Sequence, residues 1–295
     1  MKLAVTPYKV KDIKELCEAG ADIFIIGNSQ FANRLANSFS LEEIIKANKV
    51  IKSLDKEIYL NLNLIIHNND LKAVKKFLSF AKDLNVDGII FGDLAVYQMA
   101  KELEMTNKLI YNPETLNTNY YDPIFWERKQ IKGLTISKEI TLEDIEEIAK
   151  NSKIEISLVG HGYLNMFHSK RPLIENFFKY TNQEYDEYIN NRNLRIVEEI
   201  RDESYPIFQD EHGTHIFRAK AMESFKEVNQ LKTIIDVFII EGILKDFPYL
   251  LATLKKYKTL LTVKNYEEKA EEYVKQYEKD HDSGFLYKKT VYVKY

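Results

Sequence analysis

Short apolar runs and amphipathic segments alternate along the whole chain. The runs fall at Leu3–Val5, Asp22–Ile26, Glu57–Ile66, Val86–Phe91, Lys108–Tyr111, Gly133–Ile136, Ile154–Val159 and Ile234–Ile240. Between them apolar residues recur at helical spacing over Lys9–Ala19, Leu41–Leu54, Leu71–Asn85, Leu94–Glu104, Tyr121–Lys129 and Leu142–Lys150, and Leu244–Lys256 follows the last run. Ser40 stands three residues before Glu43, and Thr141 three before Asp144. That is the spacing of a capping box, in which side chain and backbone satisfy each other at a helix start. Strand–helix units repeated eight times predict a parallel sheet with its helices outside. Eight units in roughly 250 residues are the size of a closed (β/α)8 barrel of the TIM type, so the expected class is α/β. A doubly wound open sheet is the alternative, but no G-x-G-x-x-G follows an early strand.

One connection breaks the rhythm. The stretch from Val159 to Ile234 is longer than a helix with its loops and must carry an insertion. Within it, Tyr205–Gln209 and Thr214–Arg218 flank Asp210-Glu-His-Gly213, which reads as a β-hairpin with Gly in its turn. Pro172-Leu173 marks a helix start, since Pro is well placed at a first helical position. The expected organisation is a barrel over 1–264, interrupted by a helical and hairpin insertion at 173–233. An extension over 265–295 adds a charged helix, Tyr266–Lys279, and a strand, Gly284–Tyr295.

Composition narrows the chemistry. Ten Gly and six Pro in 295 residues exclude collagenous and low-complexity chains. The single cysteine, Cys17, excludes an internal disulfide and any metal or iron–sulfur site built from cysteines of this chain. Cys17 shares the apolar phase of the first helix with Val10 and Ile13 and reads as core. A net charge of −3 argues against nucleic-acid binding by bulk charge, though a local basic patch stays open. The first apolar run is too short for a signal peptide, and no 18-residue apolar window exists, so a cytoplasmic protein without membrane contact is expected.

In a (β/α)8 barrel, function collects where strands end and βα loops begin. Those positions hold Thr6, Gly27-Asn28, Asn61 with Asn63, Asp93, Asn112 with Glu114, His161 and Glu241. In Tyr59-Leu-Asn-Leu-Asn-Leu64 the period of two sends Leu60, Leu62 and Leu64 to the helices and both amides into the barrel. An unpartnered buried amide costs about 1–3 kcal/mol, so the pair implies either an internal polar network or a ligand. Each remaining residue has a bland counterpart: a salt bridge for Glu241, a helix cap for Asp93, turn chemistry for Glu114, loop structure for His67 and a hydrogen-bonded core imidazole for His161. Gly162 permits a close backbone approach, read here as one to a ligand. Ser169, Lys170 and Arg171 precede the helix at Leu173 and would suit a carboxylate or phosphate, or form a solvated charged pair. His168 and the pair His212/His215 lack metal-ligand spacing, so no metal site is expected. The tail from Phe285 interleaves aromatics with Lys, as an edge strand protected from aggregation does, or a surface for single-stranded RNA.

Taken in order, several stretches resemble peptidase family U32, the collagenase-like proteases. They are Ala19-Gly-Ala-Asp22 through Gly27 and Phe39-Ser-Leu-Glu42; Asn61 through Ile66-His67-Asn68; His161-Gly162 through Ser169 and Arg171; Tyr205-Pro-Ile207 through Asp210-Glu-His-Gly213 to Ile240-Glu241-Gly242; and Gly284-Phe-Leu-Tyr287. In the family signature His161, Gly162, Ser169 and Arg171 stand where expected. Asn165 and Pro172 replace the two cysteines, Lys170 replaces a Gly, Ser157 a Glu, and Ile243 the Arg of Ile-Glu-Gly-Arg. Many relatives use those cysteines for an iron–sulfur cluster. This chain resembles the short, cysteine-poor members paired with longer homologues in bacteria. The resemblance implies a part in hydroxylating the wobble uridine of tRNA, with prephenate as cosubstrate and tRNA and a longer homologue as partners. It would have Lys170 and Arg171 hold an anionic group, Asn61, Asn63 and His161 hydrogen-bond the ligand, Glu114 and Ser169 contact it, and Glu241 polarise or brace the site. The alternatives are a peptidase using Asp93 and Glu241, perhaps with a cation, and a non-catalytic scaffold for the longer partner.

Overall fold

The computed structural model describes residues 1–198 and 203–288. In chain order it runs through β1 (Lys2–Val5), α1 (Asp12–Glu18), β2 (Ile23–Gly27), α2 (Leu41–Ser53), β3 (Glu57–Leu62), α3 (Leu71–Asp83), β4 (Gly88–Phe91), α4 (Leu94–Glu102), β5 (Leu109–Tyr111), α5 (Tyr121–Arg128), β6 (Gly133–Thr135), α6 (Leu142–Lys150) and β7 (Glu155–His161). The insertion follows with β8 (Asn165–Ser169), α7 (Leu173–Tyr180), β9 (Arg195–Glu198), β10 (Glu203–Asp210), β11 (Gly213–Phe217), β12 (Ala221–Met222) and α8 (Val228–Leu231). The chain then returns through β13 (Val237–Ile240) to α9 (Phe247–Leu260), α10 (Tyr266–Tyr277) and β14 (His281–Asp282). Strands β1 to β7 and β13 close into the parallel barrel that the sequence predicts, with β13 between β1 and β7.

Alternation along β3 shows how the sequence builds two apolar layers. Ile58, Leu60 and Leu62 pack under the helices, while Tyr59 joins Ala4, Ile23, Ile25, Ile90, Ile110, Val237 and Ile239 inside the barrel. At the end where the strands begin, the Tyr59 hydroxyl lies 3.2 Å from Glu57 and 3.1 Å from Glu155. Lys132 pairs with both carboxylates at 3.3 and 3.7 Å and sits 4.4 Å from the Tyr59 ring centroid. The interior is therefore filled by side chains, and this end is sealed by a charged ring.

The barrel has one irregularity that matters for the site. β13 pairs Ile239 with Val159 and then Ile240 with His161, leaving Gly160 as a bulge. A Cβ on Gly160 would stand 2.0 Å from the Phe238 ring, so glycine is needed there. Val159 packs on the interior cluster, and simple alternation would turn His161 inward as well. The extra residue reverses the phase: His161 pairs with Ile240, which packs under the helices, and faces the same way.

Elsewhere the elements depart from the pattern for local reasons. β3 stops at Leu62 instead of reaching Ile66, because the Asn63 amide oxygen accepts from the Asn33 N–H (3.0 Å) and the Ile66 N–H donates to Asp93 (3.0 Å). β13 starts at Val237 because Ile234 and Ile235 still bond back to Leu231. α9 starts three residues late: Leu244 has φ +60°, Asp246 caps the Tyr249 N–H at 2.9 Å, and Pro248 occupies the first turn. The insertion forms a four-stranded antiparallel sheet in the order β8-β11-β10-β9, and its first strand lies before residue 173. This sheet leans on the β2–α2 loop. His212 bonds the Ser29 carbonyl at 2.6 Å, and Arg192 donates to the carbonyls of Leu35 and Ala36 at 2.9 and 3.1 Å.

The extension supplies the expected helix as α10, and β14 pairs in parallel with β12. Gly284–Lys288 turns instead of forming a strand: Gly284 has φ +62° and donates its N–H to Asp282 at 2.9 Å. The rest of that expected strand, 289–295, lies outside the described residues. Among the described residues no helix is long and apolar enough to cross a membrane.

Both capping boxes form, with Glu43 and Asp144 donating backbone N–H to Ser40 and Thr141 and returning side-chain bonds. Thr141→Ala should lower unfolding free energy by about 1 kcal/mol through loss of the cap. Gly160→Ala, which drives a methyl into a fully buried ring, should cost about 1–3 kcal/mol. Urea denaturation read by circular dichroism measures both, and a neutral Gly160→Ala would contradict the packing described.

Candidate functional site at the barrel mouth

Parallel closure brings the C-terminal ends of all eight strands to one side, where an inner cavity of about 90 Å³ opens. Its wall takes Asn61 from β3, Thr135 from β6 and Glu241 from just beyond β13. Loops add Arg34 (β2–α2), Asn112 and Glu114 (β5–α5) and Lys138 (β6–α6), and the insertion adds Tyr163 and Asn165. A shallower cavity of about 380 Å³ adjoins it and shares Arg34, Asn63, Asn112, Glu114 and Asn165.

Two glutamates in this hollow are tuned in opposite directions. Glu114 pairs with Arg34 through one oxygen and, through the other, with Lys138 at 3.1 Å and the Asn165 amide at 3.3 Å. Burial alone would push its carboxyl up, but the two cations outweigh burial and hold it at about 2. Among the described residues Glu241 has no cationic partner; it accepts from the Thr6 hydroxyl at 3.1 Å, and Thr6 in turn accepts the Gly242 N–H at 2.7 Å. Burial pushes the Glu241 carboxyl above the usual carboxylate range, and the charge on Glu114 pushes the same way. Three polar atoms of the lining, Asn61 Oδ1, Thr135 Oγ1 and Asn165 Oδ1, are buried without a hydrogen-bond partner. The mouth thus combines a carboxylate paired with two cations, a second acid whose carboxyl is raised by burial, and unfilled hydrogen-bonding positions, which is the chemistry of a site for a small polar ligand.

The structure brings some of the residues expected at the site together and separates others. Asn61, Asn63, Glu114 and Glu241 share the inner cavity. Asn63 is satisfied by the Asn33 backbone, so of the two strand-three amides only Asn61 keeps an open acceptor. Asp93 lines the outer cavity alone, with its oxygens on the Ala95 and Ile66 N–H groups at 2.9 and 3.0 Å; it caps α4 and does not share the inner cavity with Glu241. His161 is absent from the mouth. Turned outward by the bulge, it is fully buried with Nε2 2.6 Å from the Tyr249 hydroxyl and Nδ1 3.1 Å from that of Tyr257, and burial holds its imidazole neutral. Gly162, with φ +124°, meets the Glu241 backbone instead of a ligand: a Cβ there would lie 2.6 Å from its carbonyl oxygen.

Ser169 accepts the Arg171 N–H at 3.2 Å, and Arg171 is exposed; neither lines the inner cavity. Lys170 borders a separate hollow of about 200 Å³ beside His168 and His212. Arg34, Lys138, Thr135 and Asn165 complete the mouth but were not candidates from sequence. Ser137-Lys138 directly follows the sixth apolar run, so the strand-end rule reaches Lys138 when it is applied there. Arg34 lies seven residues past Gly27 with φ +52°, and no pattern in the sequence singles it out.

The iron–sulfur cluster that the family resemblance raises does not fit the residues present. The two signature positions are Asn165, which faces the mouth, and Pro172, which begins α7, while Cys17 lies on α1. Among the described residues no group of three or more His, Cys, Asp or Glu side chains is placed to hold a metal ion.

Comparison with known proteins gives a consistent picture. The sequence profile described as Peptidase family U32 matches residues 8–292. The chain is 35% identical to tRNA hydroxylation protein P2 of Bacillus subtilis, over 99% of both chains. It is 24% identical to tRNA hydroxylation protein P of Escherichia coli, over 84% of this chain and 65% of that one. Among solved structures, the U32 peptidase Mk0906 aligns over 82% of this chain and 92% of its own, with a TM-score of 0.51 at 13% identity, a likeness of fold.

The raised Glu241 carboxyl predicts a pH signature. A folded-state value above the ordinary 4.5 means that the folded chain binds more protons than the unfolded one as pH rises from 4.5, so this group's contribution is greatest below 4.5 and is lost as pH climbs through the raised value. Glu241→Gln removes that loss. Its Tm relative to the parent should therefore rise steadily with pH in thermal unfolding across buffers from 4.5 upward. A constant difference would contradict the shift.

Proposed function

The chain belongs to peptidase family U32, and we propose that it serves tRNA hydroxylation at the wobble uridine, with prephenate as cosubstrate and a longer homologue as partner. The observation that carries this reading is the end-to-end similarity to tRNA hydroxylation protein P2, which leaves no region of either chain unmatched beyond a few residues. The mouth supports it chemically. Prephenate carries two carboxylates and a hydroxyl, and the lining offers Arg34 and Lys138 for a carboxylate and Asn61, Thr135 and Asn165 for a hydroxyl. Glu241 would hold or release a proton beside the bound acid.

Lys170 and Arg171 sit outside the inner cavity, on the side of the inserted sheet, where they would meet RNA phosphates instead of the small ligand. Hydroxylating a pyrimidine ring is an oxidation, and the redox centre for it would come from the cysteine-bearing longer homologue. On this reading the short chain contributes substrate binding and orientation.

Deleting the gene and measuring tRNA nucleosides by mass spectrometry tests the proposal. 5-Hydroxyuridine should fall sharply and return with the parent gene, but only weakly with Arg34→Ala/Lys138→Ala. An unchanged 5-hydroxyuridine level in the deletion strain would overturn it.

A further inference from the structure

The cations of the mouth are already spent. Arg34 and Lys138, each with only 10% of its side chain exposed, arrive from loops on two different strands and converge on the two oxygens of one carboxylate, that of Glu114. Glu114 is itself more exposed, at 21%, and lies on the boundary between the inner and outer cavities. Its loop is short and self-contained: the Glu114 N–H donates to Asn112 Oδ1 at 3.1 Å, the Thr115 N–H to the Pro113 carbonyl at 2.9 Å, and Glu114 adopts φ +71°. The three side chains thus form one cluster at the cavity boundary, and the carboxylate is its most exposed member.

Three unpartnered polar atoms surround the same hollow, Asn61 Oδ1, Thr135 Oγ1 and Asn165 Oδ1, and Asn165 also donates to Glu114 at 3.3 Å. A site that holds its own carboxylate tightly and leaves neighbouring hydrogen-bonding positions empty is shaped for a larger molecule bearing the same group.

We propose that Glu114 is an internal stand-in for a ligand carboxylate, and that a small hydroxylated organic acid binds the mouth by displacing Glu114 from Arg34 and Lys138. The exchange conserves charge at the cations, since one carboxylate leaves as another arrives. The freed Glu114 swings into the outer cavity, where it meets water. The ligand's hydroxyl fills an open position on Asn61, Thr135 or Asn165. Binding in the free chain is weakened by competition with Glu114, so the mouth rejects acids that offer a carboxylate and nothing more. This deepens the functional reading above and rests on it for the identity of the acid.

The test is calorimetric titration of the full chain with prephenate and inorganic phosphate. Removing the internal competitor in Glu114→Gln should tighten prephenate about tenfold relative to the parent, with a smaller gain for phosphate, whose shape does not match the vacated carboxylate. Unchanged or weaker prephenate binding in Glu114→Gln overturns the exchange, and an equal gain for phosphate overturns the carboxylate assignment. Crystals of the parent chain soaked in prephenate give a second reading without any substitution: Glu114 parted from Arg34 supports exchange, and Glu114 still paired beside bound prephenate overturns it. If neither chain binds prephenate while the deletion strain loses 5-hydroxyuridine, the exchange and the placing of prephenate in this mouth both fall, and the part in tRNA hydroxylation stands. If Glu114→Gln binds more tightly and the strain's tRNA is unaltered, the reverse holds.

Discussion

Everything at the mouth depends on one pairing, that of β13 with β1. Lys2 to Val5 lie in parallel register with Val237 to Ile240, and this ladder turns an eight-stranded sheet into a ring. Without closure, Asn61, Thr135 and Glu241 would sit at different distances along an open edge. With it, residues as far apart in sequence as Arg34 and Ile243 face one hollow, and Thr6 can reach both Glu241 and the Gly242 N–H across the seam. The insertion does not loosen the ring, because its sheet has a ladder of its own and contributes only Tyr163, Asn165 and other side chains to the rim.

Two glutamates a few residues' width apart show how environment sets chemistry. One is flanked by an arginine and a lysine and is held well below the usual carboxylate range; the other rests on a threonine and peptide groups, and burial raises it above that range. Neither the sequence position nor the residue type distinguishes them. The same amino acid thus acquires opposite acidities by lying near cations in one place and away from them in the other.

The hydrophobic pattern was enough to read the barrel, because burial on both faces of a parallel strand and on one face of each helix leaves a strong periodic signal. The two capping boxes and the hairpin were readable for the same reason, since each is a local arrangement. What escaped was set by single residues acting at a distance. Gly160 inserts one position into β7 and sends His161 to the helix side, so that the imidazole that alternation points inward becomes part of a buried tyrosine cluster. Asn61 and Glu241 reached the hollow as expected because their strands are regular up to the end. Arg34 comes from the middle of a loop, and nothing in its neighbours announces that it folds back over the mouth.

The ring of Glu57, Glu155 and Lys132 around the Tyr59 hydroxyl has a consequence for traffic. With its far end plugged, the barrel is a cul-de-sac: whatever enters must leave by the same doorway. A small molecule held in the hollow would have to arrive before any bulky partner that settled over the rim, and could depart only after that partner lifted off. For any such pair of ligands, the architecture would impose an order on loading and unloading.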